Sequence, residues 1–331
     1  MKKEQIQVGC YTIIGDRKSQ QDTMQYAWKG DDTVLAVVCD GMGGMSGGER
    51  ASRKAVDVIF KNFADSFVTD ETQYSEWLKR SFVEADEAVA GLTDEAGNIL
   101  HSGSTVVGVL IKNNRMYWAS AGDSVIYYLD TQGIHTVTRM HNYNLRLEQL
   151  LNSGKITVEE AKKESMNGRG EALISFLGIG GLPLVDSGSQ TILMNQGDIV
   201  ILASDGLYKS LTAVQIQAIV EESGGNMSIA AERLCKEAQR LVDELMESCD
   251  SEWRGLGVIP DSGMKLRKEW EMFDARVKYQ IPEMEGRANP ACRCGDVLQG
   301  KCKPSDCKVF GKVCTPQHPV GACMVSNEGA C

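Results

Sequence analysis

The chain contains no apolar run approaching the about 20 consecutive residues that a membrane-spanning helix requires. No membrane partner is therefore expected. Its opening, MKKEQIQVGC, carries two lysines without a following apolar core, so no secretory signal is expected and the expected compartment is the cytoplasm. There is no excess of positive charge: 35 Lys and Arg stand against 45 Asp and Glu, a net charge of −10. Phosphate-backbone binding needs clustered Lys and Arg, so nucleic acid is not expected as a partner. Histidine is scarce, at four, and His141 in RMHN is expected to be structural rather than catalytic. No Cys-x-x-Cys pair occurs in the cysteine-rich end, which argues against a zinc ribbon there.

What is present divides in two. From Glu247 onward there are 12 Lys and Arg and 12 Asp and Glu, so the whole acidic excess lies before that point. Proline divides the same way, with Pro183 alone preceding residue 245 and the other six following. Of 11 cysteines, seven fall between Cys292 and Cys331. The 331 residues have length for one large or two ordinary domains. The expected division is 1–244 and 245–331.

In the first part, strand-like runs occupy Gln5–Ile14, Thr33–Cys39, Ser104–Lys112, Met116–Ser120, Val125–Leu129, Gln190–Met194 and Asp198–Ala203, with Asn113-Asn114 as a hairpin turn. Helical spacing covers Glu49–Phe67, Tyr74–Ala90 and Ser228 to about Met246; Thr157 with Glu160 and Thr212 with Gln215 are capping-box openings. The strands cluster in hairpin-like pairs and do not alternate with helices one for one. That pattern predicts an antiparallel α+β domain and not a doubly wound sheet.

The most informative stretch is VLAVVCDGMGGMSGGERAS, Val34 to Ser52. A short buried strand ends at Asp40, glycines follow, and a helical pattern begins. NQGDIVILASDGLYKSLT repeats the device at Asp205-Gly206, and YWASAGDSVIYYL places Asp123 after Gly122. One such aspartate could be a plain turn residue. Three, each beside a glycine at a strand end, favour a shared oxygen-ligand site for a hard cation. Clustered carboxylates could not all remain ionised without cations beside them, and oxygen-only ligation suits Mg²⁺ or Mn²⁺ better than Zn²⁺.

GDRKSQQD (Gly15 to Asp22), CDGMGG (Cys39 to Gly44), GSTVVGVLI (Gly103 to Ile111), AGDS (Ala121 to Ser124) and LASDGLY (Leu202 to Tyr208) occur in this order. Over roughly residues 5–240 the chain thereby resembles the type 2C, or PPM, metal-dependent serine/threonine protein phosphatases. The resemblance implies a four-layer α/β/β/α antiparallel β-sandwich flanked by helices. It also implies hydrolysis of phosphoserine and phosphothreonine in proteins, with a cognate kinase as an opposing partner. Asp40 would bridge two Mg²⁺ or Mn²⁺ ions and the Gly41 carbonyl would hold one of them. Asp205 would be a ligand of the second ion, Asp22 would lie near the pair, and Asp123 would bind an accessory third ion. Arg17 would grip the phosphate as a bidentate fork; its competing reading is a surface arginine.

The chain also departs from the family pattern. Gln20-Gln21-Asp22 stands where many members have Asn-Glu-Asp, Met42 where animal members carry a histidine, and Val125 where an arginine often follows AGDS. After the helix that follows LASDGLY the family has an Asp-Asn pair entering a last strand. Here the sequence reads LVDELMESCDSEWRGLG, with no Asp-Asn and no β-branched run. The resemblance therefore implies a second metal site short of one ligand, a sheet lacking its last strands, and no expected strand in this stretch.

SEWRGLGVIPDSGMKLRKEWEMFDA (Ser251 to Ala275) and CRCGDVLQGKCKPSDCKVFGKVCTPQHPVGACMVSNEGAC (Cys292 to Cys331) resemble the C-terminal part of the HypD-type hydrogenase maturation proteins. The rest is expected to be a small irregular cysteine-rich segment. Clustered cysteines in a cytosolic chain argue for metal before disulfides. Cys294, Cys307, Cys314 and Cys331 are the candidate ligands, with Cys323 able to replace one of them and Cys292 and Cys302 left free. A [4Fe–4S] cluster, a zinc ion and an empty tail are the open alternatives, and hydrogenase maturation proteins are the implied partners. Three functions follow: a phosphatase, a phosphoprotein-binding pseudophosphatase, or an iron–sulfur accessory in hydrogenase maturation.

Overall fold

The apolar run that ends in Asp40 is a strand. The structure, a computed structural model, describes residues 6–15, 17, 19–43, 47–165, 170–188, 191–253, 256–282, 289–299, 301–315, 318–324 and 331. In it β2 (Thr33–Met42) pairs antiparallel with β1 (Asp22–Lys29) on one side and β4 (Val106–Lys112) on the other. β4 pairs in turn with β5 (Arg115–Ala121) through Asn113 and Asn114, at φ 50 and 62, the left-handed pair that a tight hairpin needs. The short strands β3 (Gly103–Ser104), β8 (Asp186–Ser187) and β9 (Ile192–Leu193) complete a seven-stranded sheet. A second sheet has β6 (Val125–Asp130) between β10 (Ile199–Ala203) and β7 (Gly133–Thr136).

Side-chain alternation sorts the layers. Leu35, Val37 and Cys39 of β2, Val106 and Leu110 of β4, and Tyr117, Ala119 and Ala121 of β5 face α1 (Gly47–Asp65) and α2 (Tyr74–Ala90). The intervening Val38, Val107, Val109, Met116 and Trp118 meet Ile126, Tyr128, Val200 and Leu202 of the second sheet. α6 (Ala213–Glu222) packs on β7 from the far side. The result is helix, sheet, sheet, helix, the four-layer architecture that the resemblance implied. The outer helical face is fixed by large side chains: Tyr74, Trp77, Leu78 and Phe82 of α2 are buried, each contributing about 1.5–3 kcal/mol by removal from water.

One charged residue lies on that buried face. Asp86 is wholly inaccessible, and its carboxylate accepts from the backbone N–H groups of Gly178, Gly180, Gly181 and Leu182 at 2.7, 3.2, 2.7 and 3.2 Å. The charge is tolerated because four aligned donors replace its water.

Other elements follow their local signals or correct them. Both capping boxes form, opening α4 (Val158–Glu164) and α6. The segment 6–14 is not a strand: it passes so close to α7 (Met227–Leu245) that a Cβ on Gly9 would sit 2.0 Å from the Met227 carbonyl oxygen. A helix offers no ladder to pair with, so its alternation yields no sheet. The expected strand at Gln190–Met194 shrinks to β9; Gln190 itself lies outside the described residues. β1 and α3 (Tyr143–Asn152) were not foreseen.

Contacts divide the chain into two compact units, 1–238 and 239–331. The second unit corrects the expectation that no strand follows α7. β11 (Met246–Trp253) pairs with β12 (Gly257–Leu266) as a separate two-stranded sheet. MESCDSEW has few strand-favouring residues, so pairing with a partner and not propensity fixes its conformation. Among the described residues the sandwich's second sheet has three strands. Beyond the hairpin, the described residues form the short helices α8 (Ala275–Lys278) and α9 (Cys294–Leu298), 3-10 turns at Lys268–Phe273, Pro304–Asp306 and Ala322–Met324, and irregular chain.

Candidate active site and cysteine cluster

Each sheet brings two aspartates to one end of the sandwich. In the first, Asp22 and Asp40 are direct cross-strand partners of β1 and β2. In the second, Val125 of β6 pairs with Ala203 of β10. Asp123 lies just before β6 and Asp205 just after β10, and the charge of Asp205 acts on Asp123. Like charges placed opposite one another across strands oppose folding, so the Asp22–Asp40 pair marks a place where the fold works against local preference.

The four carboxylates act on one another. Burial, followed by the charges of Asp22 and Asp205, pushes Asp40 up to about 8. Asp22 is raised by burial, although Ser204 and Asp40 hydrogen-bond to it and the Arg17 cation draws it down. Asp123 is raised by burial and by Asp205. Asp22 and Asp40 therefore share a proton at neutral pH when no cation is near. Arg17 is exposed and acts on Asp22 through its charge; its neighbours Asp16 and Lys18 lie outside the described residues.

Several residues with no role foreseen from the sequence hold this arrangement. Ser104 Oγ donates to the Asp40 carbonyl at 3.0 Å, the Asp40 N–H donates to Thr105 Oγ1 at 3.1 Å, and the Thr105 N–H returns to the Asp40 carbonyl at 2.8 Å. Ser204 Oγ donates to Asp22 Oδ2 at 2.9 Å, tying the residue before Asp205 to the other sheet. Gly122 stands at φ 108, where a Cβ would also lie 2.7 Å from that of Thr105. Only glycine fits there. Gly41 is equally constrained, because a Cβ would meet the Gly48 carbonyl oxygen at 2.0 Å as α1 starts against the end of β2.

His141 is fully buried. Its Nδ1 accepts from the Gly122 N–H at 3.3 Å and its own N–H donates to the Gly122 carbonyl at 2.8 Å. Nε2 lies 3.2 Å from Asp186, which Arg139 clamps bidentately at 2.8 and 2.7 Å. Burial holds the imidazole below its ordinary value, so it is neutral and braces the turn that presents Asp123.

Lys209 was also unassigned. It follows α5 (Asp205–Tyr208), and its Nζ lies 2.6 Å from Asp205 Oδ2. Its charge also draws Asp123 down. Among the described residues, no three His, Cys, Asp or Glu side chains are set so as to enclose an ion. The donor set is nevertheless chemically suited to one: four carboxylates, three of them pushed toward protonation by burial, fit a hard divalent cation in type and charge.

In the second unit the cysteines themselves form the packing. Cys307, Val309, Cys314 and Met324 are a buried cluster, with Ala291, Cys292, Phe310, Val320 and Cys331 against it. Cys294 Sγ lies 2.9 Å from Cys323 Sγ, and Cys323 Sγ lies 3.0 Å from that of Cys331. These are contacts and not disulfides. Cys323 thus joins the candidate set, between two of its members. Cys292, left free on sequence grounds, is drawn in: a Cβ on Gly321 would meet Cys292 Sγ at 2.6 Å and Cys294 Sγ at 3.2 Å. Burial raises the Cys307 thiol, but backbone N–H groups of Arg293, Val309 and Phe310 outweigh it and hold the value below the ordinary one. Burial, reinforced by Cys331, pushes Cys323 up to about 11. Gathered thiols of this kind are chemically suited to a thiolate-bound metal.

No helix among the described residues is long and apolar enough to cross a membrane. The sequence matches the Protein phosphatase 2C family over residues 12–246 and the family described as Hydrogenase formation hypA over residues 213–331. The two matches overlap across α6 and α7. Hydrogenase maturation factor HypD2 of Bradyrhizobium diazoefficiens is 38% identical over 152 residues, covering 46% of this chain and 37% of that protein. HypD of Escherichia coli is 36% identical over 149 residues, covering 45% and 38%. The chain thus spans well under half the length of these curated relatives. Among solved structures, the Streptococcus agalactiae (S. agalactiae) serine/threonine phosphatase superposes with TM-score 0.60 at 22% identity, covering 71% of this chain and 93% of its own. The catalytic domain of the serine/threonine phosphatase PstP, solved with two manganese ions, superposes with TM-score 0.51 at 23% identity, covering 71% and 89%. With the matching sandwich and its strand-end aspartates in place, the chain belongs to the Protein phosphatase 2C family, joined to a HypD-like C-terminal region.

Proposed function

We propose that the chain is a cytoplasmic Mg²⁺- or Mn²⁺-dependent phosphatase that removes phosphate from phosphoserine and phosphothreonine in proteins, opposing a cognate kinase. The observation that supports this most is that Asp40, the cross-strand partner of Asp22, feels the charges of Asp22, Asp205 and Asp123, which with burial push it up to about 8. Asp40, the Gly41 carbonyl and Asp205 would hold two ions, with Asp22 beside them and Asp123 toward a third. When bound, such ions would supply positive charge for the phosphate and an activated water.

The chain's own groups do the rest. Ser104 and Thr105 fix the Asp40 backbone at the end of β2. Ser204 holds Asp22 toward the second sheet, and His141 holds the Gly122 turn. Arg17, exposed beside Asp22, is the group proposed to grip the phosphate by two parallel N–H donations. The test is hydrolysis of p-nitrophenyl phosphate and of a phosphothreonine peptide with Mn²⁺. Turnover that Asp40→Ala abolishes is expected. No turnover with metal still bound would favour the pseudophosphatase reading instead.

A second reading, for the C-terminal region, is supported by the packed thiols. We infer that Cys294, Cys307, Cys314 and Cys331, with Cys323 among them, hold a [4Fe–4S] cluster and that the region serves hydrogenase maturation together with other maturation proteins. Anaerobic reconstitution should give bound iron and sulfide with visible charge-transfer absorption. A colourless, iron-free product would remove this reading.

A further inference from the structure

The two aspartate pairs are not equivalent. Asp22 and Asp40 face each other with hydroxyl and backbone partners, and Arg17, the cation that acts on Asp22, is exposed. Asp205 already has a cation in contact: Lys209 Nζ at 2.6 Å. The Lys209 backbone N–H also returns to the Asp205 carbonyl at 2.9 Å, so main chain and side chain both close on the same residue. The charges of Asp123 and Glu171 act on the ammonium as well. Lys209 is therefore in contact with one carboxylate, Asp205, and in the field of two more, from the β5–β6 turn and the loop before β8. Tyr208 contributes a phenol beside Asp123, which burial and these carboxylates keep protonated.

We propose that Lys209 is a tethered counter-cation that occupies the Asp205 side of the centre in place of a second metal ion. The resting chain then takes one divalent ion, on the Asp22–Asp40 side, and a second enters only when the ammonium is displaced. The inference rests on the metal-centre reading above. An ammonium and a divalent ion cannot share Asp205 Oδ2 without repulsion. Removing one unit charge at such a distance, in water-like surroundings, tightens a divalent ion on the order of tenfold or more.

The test is Mn²⁺ binding to the full chain by equilibrium dialysis, with electron paramagnetic resonance to detect two coupled ions, comparing wild type, Lys209→Met and Lys209→Arg. The Lys209 side chain is 53% exposed, so both variants are expected to fold, and circular dichroism checks this. Expected are one tightly held ion in wild type and Lys209→Arg, and a second ion at least tenfold tighter in Lys209→Met with a coupled-pair signal. Two equally tight ions in wild type would overturn the proposal and leave the metal centre standing. So would a single ion in Lys209→Met, or a second ion gained equally by Lys209→Arg. If no variant binds Mn²⁺, the metal-centre reading itself fails and takes this inference with it.

Discussion

The two units handle their chemically demanding side chains in opposite ways. In the first, the carboxylates sit at the rim of a core made of other residues: Leu35, Val37, Phe82 and Leu110 on one face of the main sheet, Val107, Val109, Met116 and Ile126 on the other. The β1–β2 register holds Asp22 opposite Asp40, and the strain appears as the raised Asp40. In the second, the buried cluster consists largely of the thiols, Cys307 and Cys314 with Val309 and Met324. Met272, Phe273, Tyr279 and Ile281 are exposed. The lesson is that a site on the edge of a core can be preorganised, while a site that is the core depends on its ligand for its fold.

The largest effect that would break this comparison concerns activity in the first unit. Asp40→Ala and Asp205→Ala should each lower phosphatase kcat by at least about 10²-fold, since either would remove a donor from the proposed two-ion clamp, with thermal stability unchanged or raised. Retained activity in both variants would contradict the site. Next, extraction of the proposed cluster by chelator under anaerobic conditions should make residues 289–331 protease-sensitive, whereas the sandwich stays resistant. Equal sensitivity of both regions would show that the first unit is no more preorganised than the second.

A third prediction probes the scaffold directly. Asp86→Ala strips four backbone N–H groups of their shared acceptor and should destabilise the first unit by about 3–5 kcal/mol in urea unfolding, as losing one side of a buried charged contact does. The smallest effect is a pH slope. In chelator, the folded value of Asp40 is about 8 against about 3.9 for an unfolded aspartate. The native state then binds the extra proton, and stability falls as pH rises through that window. His141, held below its ordinary value, acts oppositely, losing stability below about 6.5. Between about 6.5 and about 8 the Asp40 slope should therefore dominate: Tm of the chelated protein falls with pH, Asp40→Asn flattens it, and Mn²⁺ abolishes it.

Much of the first unit was legible. Asp40, Asp123 and Asp205 announced themselves as strand-end aspartates beside glycine, and the Thr157–Glu160 and Thr212–Gln215 caps formed as read. These signals are local, confined to a few consecutive residues. Lys209 is also local, four residues after Asp205, but an i, i+4 pair says nothing until the short helix α5 is known to be there. The Asp86 cradle spans more than 90 residues of sequence, and no pattern in DEAVAGL points to GIGGL. The segment 6–14 shows the converse error, since its alternation was real but no strand edge lay beside it.

By itself, then, the sequence determined the layer periodicities, the strand-end placement of three aspartates and the crowding of cysteines, because each is written in neighbouring residues and in the backbone's short-range geometry. Only the tertiary structure decided that Asp22 pairs with Asp40 across two strands, that Lys209 rather than open solvent lies on Asp205, and that Cys292 and Cys323 join the other thiols. Those outcomes depend on register between strands and on loop closure, which bring together groups that no local rule relates.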